Sequence, residues 1–198
     1  MDLRYNFPML IPRAFYQHHD VVQLAQSLLG KYLLTEFDGI VTGGPIVETE
    51  AYKGIEDRAC HAYGGRRTKR TEVMFWEGGV AYVYLIYGLH AMFNIVTYTE
   101  GHPHAILIRA LKPEIGIEAM LSRRGKQVLD KTLTSGPGSL AQALNITTQL
   151  TGTPLDAPPI WLEERGIQVQ EITATPRIGV DYAGDDALLP WRFVARIS

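Results

Sequence analysis

The chain has 198 residues, enough for one well-filled domain, and its 46% hydrophobic and 20% charged content is that of an ordinary soluble protein. A formal net charge of −2 argues against global attraction to nucleic acid but leaves room for a local basic patch. The single cysteine, Cys60, excludes an internal disulfide framework and a Cys-rich zinc site. No run of about 18 apolar residues marks a membrane span, and MDLRYNFPMLIPRAFYQHHD lacks the apolar core of a secretory signal, so a cytoplasmic location is expected.

In chain order, apolar residues at helical spacing predict a helix over 20–29, with Asp20 as N-cap and Gly30 as C-terminal stop. Residues 31–37 and 39–52 read as strands broken at Asp38-Gly39 and Gly43-Gly44. Residues 53–72 hold many turn formers and no period, and polar loops of this length in a compact domain are often functional. Two aromatic and β-branched runs around Gly88 give the strongest hairpin signal, over 80–99. A further strand follows at 103–113, with Arg109 near its end, then helices at 115–126 and 136–146. Residues 150–163, rich in Pro and Thr, read as loop, and 166–182 return to strand alternation. Strands dominate and their connections are too short for parallel crossovers. One α+β domain over 1–198 is predicted: a curved, mostly antiparallel sheet, a protruding β-hairpin and surrounding helices.

Several residues could carry chemistry. In IVETEAY, period-2 alternation puts Ile46, Glu48, Glu50 and Tyr52 on one strand face, with the two carboxylates roughly 6 to 7 Å apart. They are either solvated edge residues or a site, and the spacing also lies near that used for glycoside hydrolysis. Tyr82 and Tyr84 share a strand face, and Tyr87, just before Gly88, falls at the hairpin tip. An exposed aromatic there is a wedge or stacking platform; a buried one is packing. Asn94 is a lone amide in an apolar strand, either a satisfied core group or a reader of a ligand edge. Arg66, Arg67, Lys69 and Arg70 cluster in the long loop, and Arg123, Arg124 and Lys126 form a second group; both suit phosphate contacts. The pairs His18-His19 and His102/His104 show no recognised metal pattern. Cys60-His61 lacks an orienting third group, and a zinc deaminase would need further cysteines, so neither a metal nor another cofactor is expected.

The segments IVETEAYKGIEDRACHAYGGRRTKR, YVYLIYGLHAMFNIV, ILIRALKP and LTSGPGSLAQALNI resemble the alkyladenine (3-methyladenine) DNA glycosylase family. The likeness runs in order from about residue 13 to PRIGVDYAGDDALLPWRFV, in the manner of the short bacterial members. The resemblance implies a monofunctional enzyme of base excision repair that flips a damaged purine out of double-stranded DNA and hydrolyses its N-glycosidic bond. It implies Glu50, held with Arg109, as the general base; Tyr52, His61 and Tyr84 around the flipped base; Asn94 as a filter against the guanine amine; and Tyr87 as the intercalating wedge. Glu48 is then a supporting carboxylate. A monomer without Schiff-base chemistry or strand cleavage is expected. Against it stands a binding protein that keeps the wedge and basic loops without catalysis, and release of free base distinguishes the two.

Overall fold

The computed structural model describes residues 9–198. The part of the N-terminal stretch read for a secretion signal that covers residues 1–8 lies outside them. The described chain runs through β1 (Met9–Leu10), α1 (Val21–Ser27), β2 (Tyr32–Phe37), β3 (Ile40–Tyr52), β4 (Val80–Ile86), β5 (His90–Thr97) and β6 (His104–Leu111). It continues through α2 (Ile117–Arg124), α3 (Pro137–Ala143), β7 (Asp156–Ala157), β8 (Ile160–Glu164), β9 (Val169–Thr175) and β10 (Arg192–Ile197). The fold is α+β, and its strand pairs are antiparallel, in the order β1-β8-β2-β3-β6-β5-β4, with β10 joining β3 to β9. Among the described residues, no helix is long and apolar enough to cross a membrane.

Helix α1 starts where its sequence says it should, with the Asp20 carboxylate accepting from the Val22 and Gln23 amides at 2.9 and 3.0 Å. The expected break at Gly43-Gly44 does not occur, since β3 runs unbroken for 13 residues. The glycines serve close approach instead: a Cβ on Gly43 would sit 2.1 Å from the Leu33 carbonyl oxygen, and one on Gly44 would sit 1.9 Å from that of Lys112. The Pro/Thr-rich loop expected over 150–163 also needs correction, because it contains β7 and most of β8, whose Ile160 and Leu162 are fully buried. Near the C-terminus β10 adds a strand that alternation does not mark.

Strand β3 bends the sheet. Along one edge it pairs with β2 through residues 40–45 and then with β10 through 48–50, while β6 follows its other edge from Ile46 to Tyr52. The β3–β6 register slips between Ile46 and Glu48 and again before Thr49. A bulge of this kind bends a strand and re-aims its side chains. Ile46 therefore joins Thr49 and Ala51 on the core side, and does not share the Glu48 face as strict alternation predicts. The core lies between that side and the helices, where Leu28, Ile46, Phe93, Ile106, Met120 and Leu140 exclude solvent completely. Tyr52 packs against a smaller cluster drawn largely from the 53–75 segment, including Cys60, Ala62 and Met74, with Tyr82 of β4.

Candidate active site

The two glutamates meet one arginine. Arg109, on β6, donates from Nε to Glu48 Oε1 at 2.8 Å and places Nη1 3.4 Å from Glu50 Oε1. Arg192, on β10, donates to the same Glu48 oxygen at 2.7 Å. Glu48 thus anchors Arg109 from behind. Glu50 has no exposed surface; its Oε1 accepts the Ile178 amide at 2.8 Å, and its Oε2 accepts the Tyr52 hydroxyl at 2.8 Å. Alternating carboxylates and guanidiniums make the cost of burying each charge tolerable. Each carboxylate oxygen offers about two lone-pair directions, so Glu50 retains acceptor capacity.

The partners of Glu50 (Tyr52, Arg109 and Ile178) all line a cavity of about 550 Å³, which places the carboxylate immediately behind the cavity wall. His61, Tyr84 and Asn94 line the same space, so the base-binding set expected from the sequence converges on one cavity. The His61 ring meets Tyr84 edge-on at a centroid distance of 4.6 Å, and its Nδ1 lies 2.9 Å from the Tyr82 hydroxyl oxygen. Burial, with the fields of Arg70 and Arg66, lowers the His61 pKa to about 4, so the ring is neutral at neutral pH. Its folded-state value lies below the unfolded one; the stability this neutral ring contributes is present above pH 6.5 and is lost as pH falls toward 4. Burial, and then Glu50, push the Tyr52 phenol well above its usual value, and burial raises that of Tyr84 to about 12, so both hydroxyls stay protonated. The Arg177 guanidinium stands 4.9 Å from the Tyr52 ring centroid and covers that face. Asn94 is buried, and its amide donates to the Tyr82 and Met92 carbonyls, both at 3.1 Å. Its NH₂ is satisfied by the strands, and the residue borders the cavity.

Tyr87 is 87% exposed at the hairpin tip, with φ of +52° beside Gly88 at +69°. A non-glycine residue in that region is uncommon, and here it turns the ring off the end of the sheet. In the basic loop Arg66, Arg67, Lys69 and Arg70 are all exposed, but they are not equivalent. Arg67 is held on Glu72 by two hydrogen bonds of 2.8 and 2.6 Å, whereas Arg70 lies 5.7 Å from the Tyr84 ring centroid at the cavity mouth. In the second basic group, Arg123 donates to Thr42 Oγ1 and the Ala143 carbonyl, Arg124 to Gln142 and Ser139, and Lys126 pairs with Asp130. The contacts with Ala143, Gln142 and Ser139 tie α2 to α3, and that with Thr42 ties α2 to β3. Burial pushes the Cys60 thiol up to about 12, and its nearest acceptor is the Pro103 carbonyl, so it is not paired with His61.

Sequence reasoning missed four contributors. Ile178 supplies an amide to Glu50. Arg177 forms a fully buried pair with Asp57, Nη1–Oδ2 2.5 Å and Nη2–Oδ1 2.9 Å, which joins the 53–72 loop to the segment carrying Ile178. Arg192 steadies Glu48, and Tyr182 donates to the Ala59 carbonyl at 3.1 Å on the cavity rim. The only local signal was the position of these residues inside PRIGVDYAGDDALLPWRFV.

A buried carboxylate–arginine pair stands at the wall of an aromatic cavity, next to an exposed tyrosine at a hairpin tip. A family model described as methylpurine-DNA glycosylase (MPG) matches residues 14–198. The chain belongs to that family. It is 47% identical over 190 residues to a protein of Chlamydia felis (strain Fe/C-56), covering 96% of this chain and 97% of that one. It is 48% identical over 195 residues to a protein of Bacillus cereus (strain ZK / E33L), covering 93% and 95%. Both relatives bear the name "Putative 3-methyladenine DNA glycosylase".

Proposed function

We propose that the protein is a monofunctional DNA glycosylase, a single domain acting as a cytoplasmic monomer. It flips alkylated or deaminated purines (3-methyladenine, 7-methylguanine, hypoxanthine, ethenoadenine) out of duplex DNA and removes them by hydrolysis. The observation that carries this reading is the Glu50–Arg109 pair at the wall of the aromatic cavity. The flipped purine stacks on the free face of Tyr52 and against His61 and Tyr84, with Asn94 at the edge where a 2-amino group would clash. The glycosidic bond breaks, the purine leaves with the bonding pair, and a water oxygen bonds to C1′ while the water gives a proton to Glu50. Arg109, 3.4 Å from Glu50 Oε1, holds the carboxylate in place for that transfer. No lysine lines the cavity among the described residues, which supports direct hydrolysis. The test is chromatographic release of free purine from methylated and ethenoadenine-containing duplexes. Binding of those duplexes with no free base at any enzyme excess would make the protein a binder only.

The wedge assignment separates two tyrosines of one hairpin. Tyr87→Ser should cut the fraction of extruded nucleotide, read by ethenoadenine fluorescence, because stacking of a base on an aromatic ring is worth about 1–3 kcal/mol. Its melting temperature should stay close to wild type, since the ring is almost fully exposed. Tyr82→Ser removes a ring that is 2% exposed and should lower the melting temperature through a cavity. The reverse pattern would remove Tyr87 from the interface.

The loop cations should divide in the same way. Removing Arg66, Lys69 and Arg70 should weaken binding to damaged and undamaged duplexes alike. It should also flatten the slope of log affinity against log salt by about 0.9 for each phosphate that is no longer neutralised. Arg67→Ala should change that slope least, because its guanidinium already serves Glu72. A slope that ignores the triple substitution would leave the loop without a phosphate role.

A further inference from the structure

The β4–β5 hairpin has a hollow on each face. Tyr84 and Ile86 of β4, with Met92 and Asn94 of β5, line the 550 Å³ cavity. Alternation turns the cross-strand pair Leu85 and Ala91 to the opposite face. There they floor a second cleft of about 400 Å³ between the hairpin and α3, with Ala141 and Ile146 beneath. Leu85 borders both hollows, so the ribbon is the wall between them. The rim of the second cleft is polar: His90, Asn145, Thr147 and Thr148, whose side chains make no hydrogen bond within the described residues. Arg123 adds a cation, and no carboxylate lines the cleft among the described residues. Leu89, 79% exposed at the same tip as Tyr87, overhangs it.

We infer that this second cleft receives the undamaged DNA strand across from the extruded nucleotide. The inference rests on the proposed glycosylase reading. If Tyr87 occupies the place the damaged nucleotide leaves, a ribbon one strand layer thick separates the flipped base from the rest of the stack. The opposing nucleotide then has a Watson–Crick edge without a partner, and polar groups removed from water without partners are costly. The second face of the ribbon presents what that edge and its backbone need: a free amide with donor and acceptor, two hydroxyls, an imidazole and a positive field. An amide and hydroxyls satisfy any base, so the cleft strengthens duplex binding whatever the opposing base is.

The test uses the full chain in a Glu50→Gln background, which keeps the base attached while binding is measured by fluorescence anisotropy. Ligands are an ethenoadenine duplex and its damaged strand alone. The combined substitution Asn145→Gly and Thr148→Ala suits the positive φ of Asn145. Loss of two ordinary hydrogen bonds should weaken duplex binding about 10- to 30-fold and leave the single strand unchanged. Thr148→Glu, a change on an exposed side chain, should weaken the duplex further by repelling phosphates. Unchanged duplex affinity in both variants, or equal loss on both ligands, overturns the inference. Base release by wild-type protein, measured alongside, keeps the two readings separate. Release with unaltered duplex binding by the variants removes only the second-cleft assignment, whereas no release removes the glycosylase reading itself.

Discussion

Glu50→Gln should abolish release of free purine and leave binding to damaged duplex nearly intact. Glutamine keeps the size of the side chain and one carbonyl oxygen, which can still accept the Ile178 amide that Glu50 now holds at 2.8 Å. Its NH₂ then meets the Tyr52 hydroxyl, which can rotate to accept, so the wall of the cavity survives the change. In the proposed reaction the group lost is the one that takes a proton from water, and loss of a general base should slow the chemical step roughly 10²- to 10⁴-fold. Single-turnover release from an ethenoadenine or methylated duplex measures that step directly. Glu48→Gln should cost less: Glu48 touches the two guanidiniums and does not line the cavity, so its effect passes through the placement of Arg109. Near-normal single-turnover rates in Glu50→Gln would remove it as the base. A larger defect in Glu48→Gln than in Glu50→Gln would mean that the anchoring carboxylate and the reacting one had been exchanged.

The parts of this site that could be read along the chain are those whose geometry is local. Period-2 alternation put Tyr82 and Tyr84 on one face, and the hairpin turn put Tyr87 at a tip, because strand and turn chemistry act over a few residues. The same rule failed at Ile46, since a bulge is set by the partner strand and leaves no mark in the sequence of β3. Gly43-Gly44 read as a break because glycine serves turns and close packing equally, and only the Leu33 and Lys112 carbonyls decide between them. Strand β8 was hidden by its Pro-rich approach. The partners of the glutamates were beyond reach for another reason: Ile178 lies 128 residues from Glu50, and Arg192 lies 144 from Glu48. Charge counting showed that the loop was basic, yet nothing local showed that Arg67 is taken by Glu72 while Arg70 is left at the cavity mouth.

Arg177→Met, which breaks the buried pair with Asp57, should destabilise the protein by about 3–5 kcal/mol, because it leaves a carboxylate buried without its cation. For a chain of this size that corresponds to a fall in melting temperature of roughly 6–20 °C. Both side chains are wholly buried, and Arg177 also donates to the Ala51 and Asp186 carbonyls, so no water stands ready to replace it. Asp57→Asn should be milder than Arg177→Met, since asparagine still accepts from one guanidinium nitrogen while the charge on Arg177 is left uncompensated. Removing both charges together, as Arg177→Met with Asp57→Leu, should recover part of the loss, since a buried pair replaced by apolar groups is often near neutral. Activity should not recover with stability. Arg177 covers one face of Tyr52 and immediately precedes Ile178, whose amide holds Glu50, so the double variant should fold and still release purine slowly. Arg177→Lys keeps the charge but loses the two-pronged grip on Asp57 and the flat contact with Tyr52, and should lie between these outcomes in both measurements. A double variant that regains the wild-type rate of purine release along with its melting temperature would reduce the Arg177–Asp57 pair to a fold contact with no part in holding Tyr52 and Glu50.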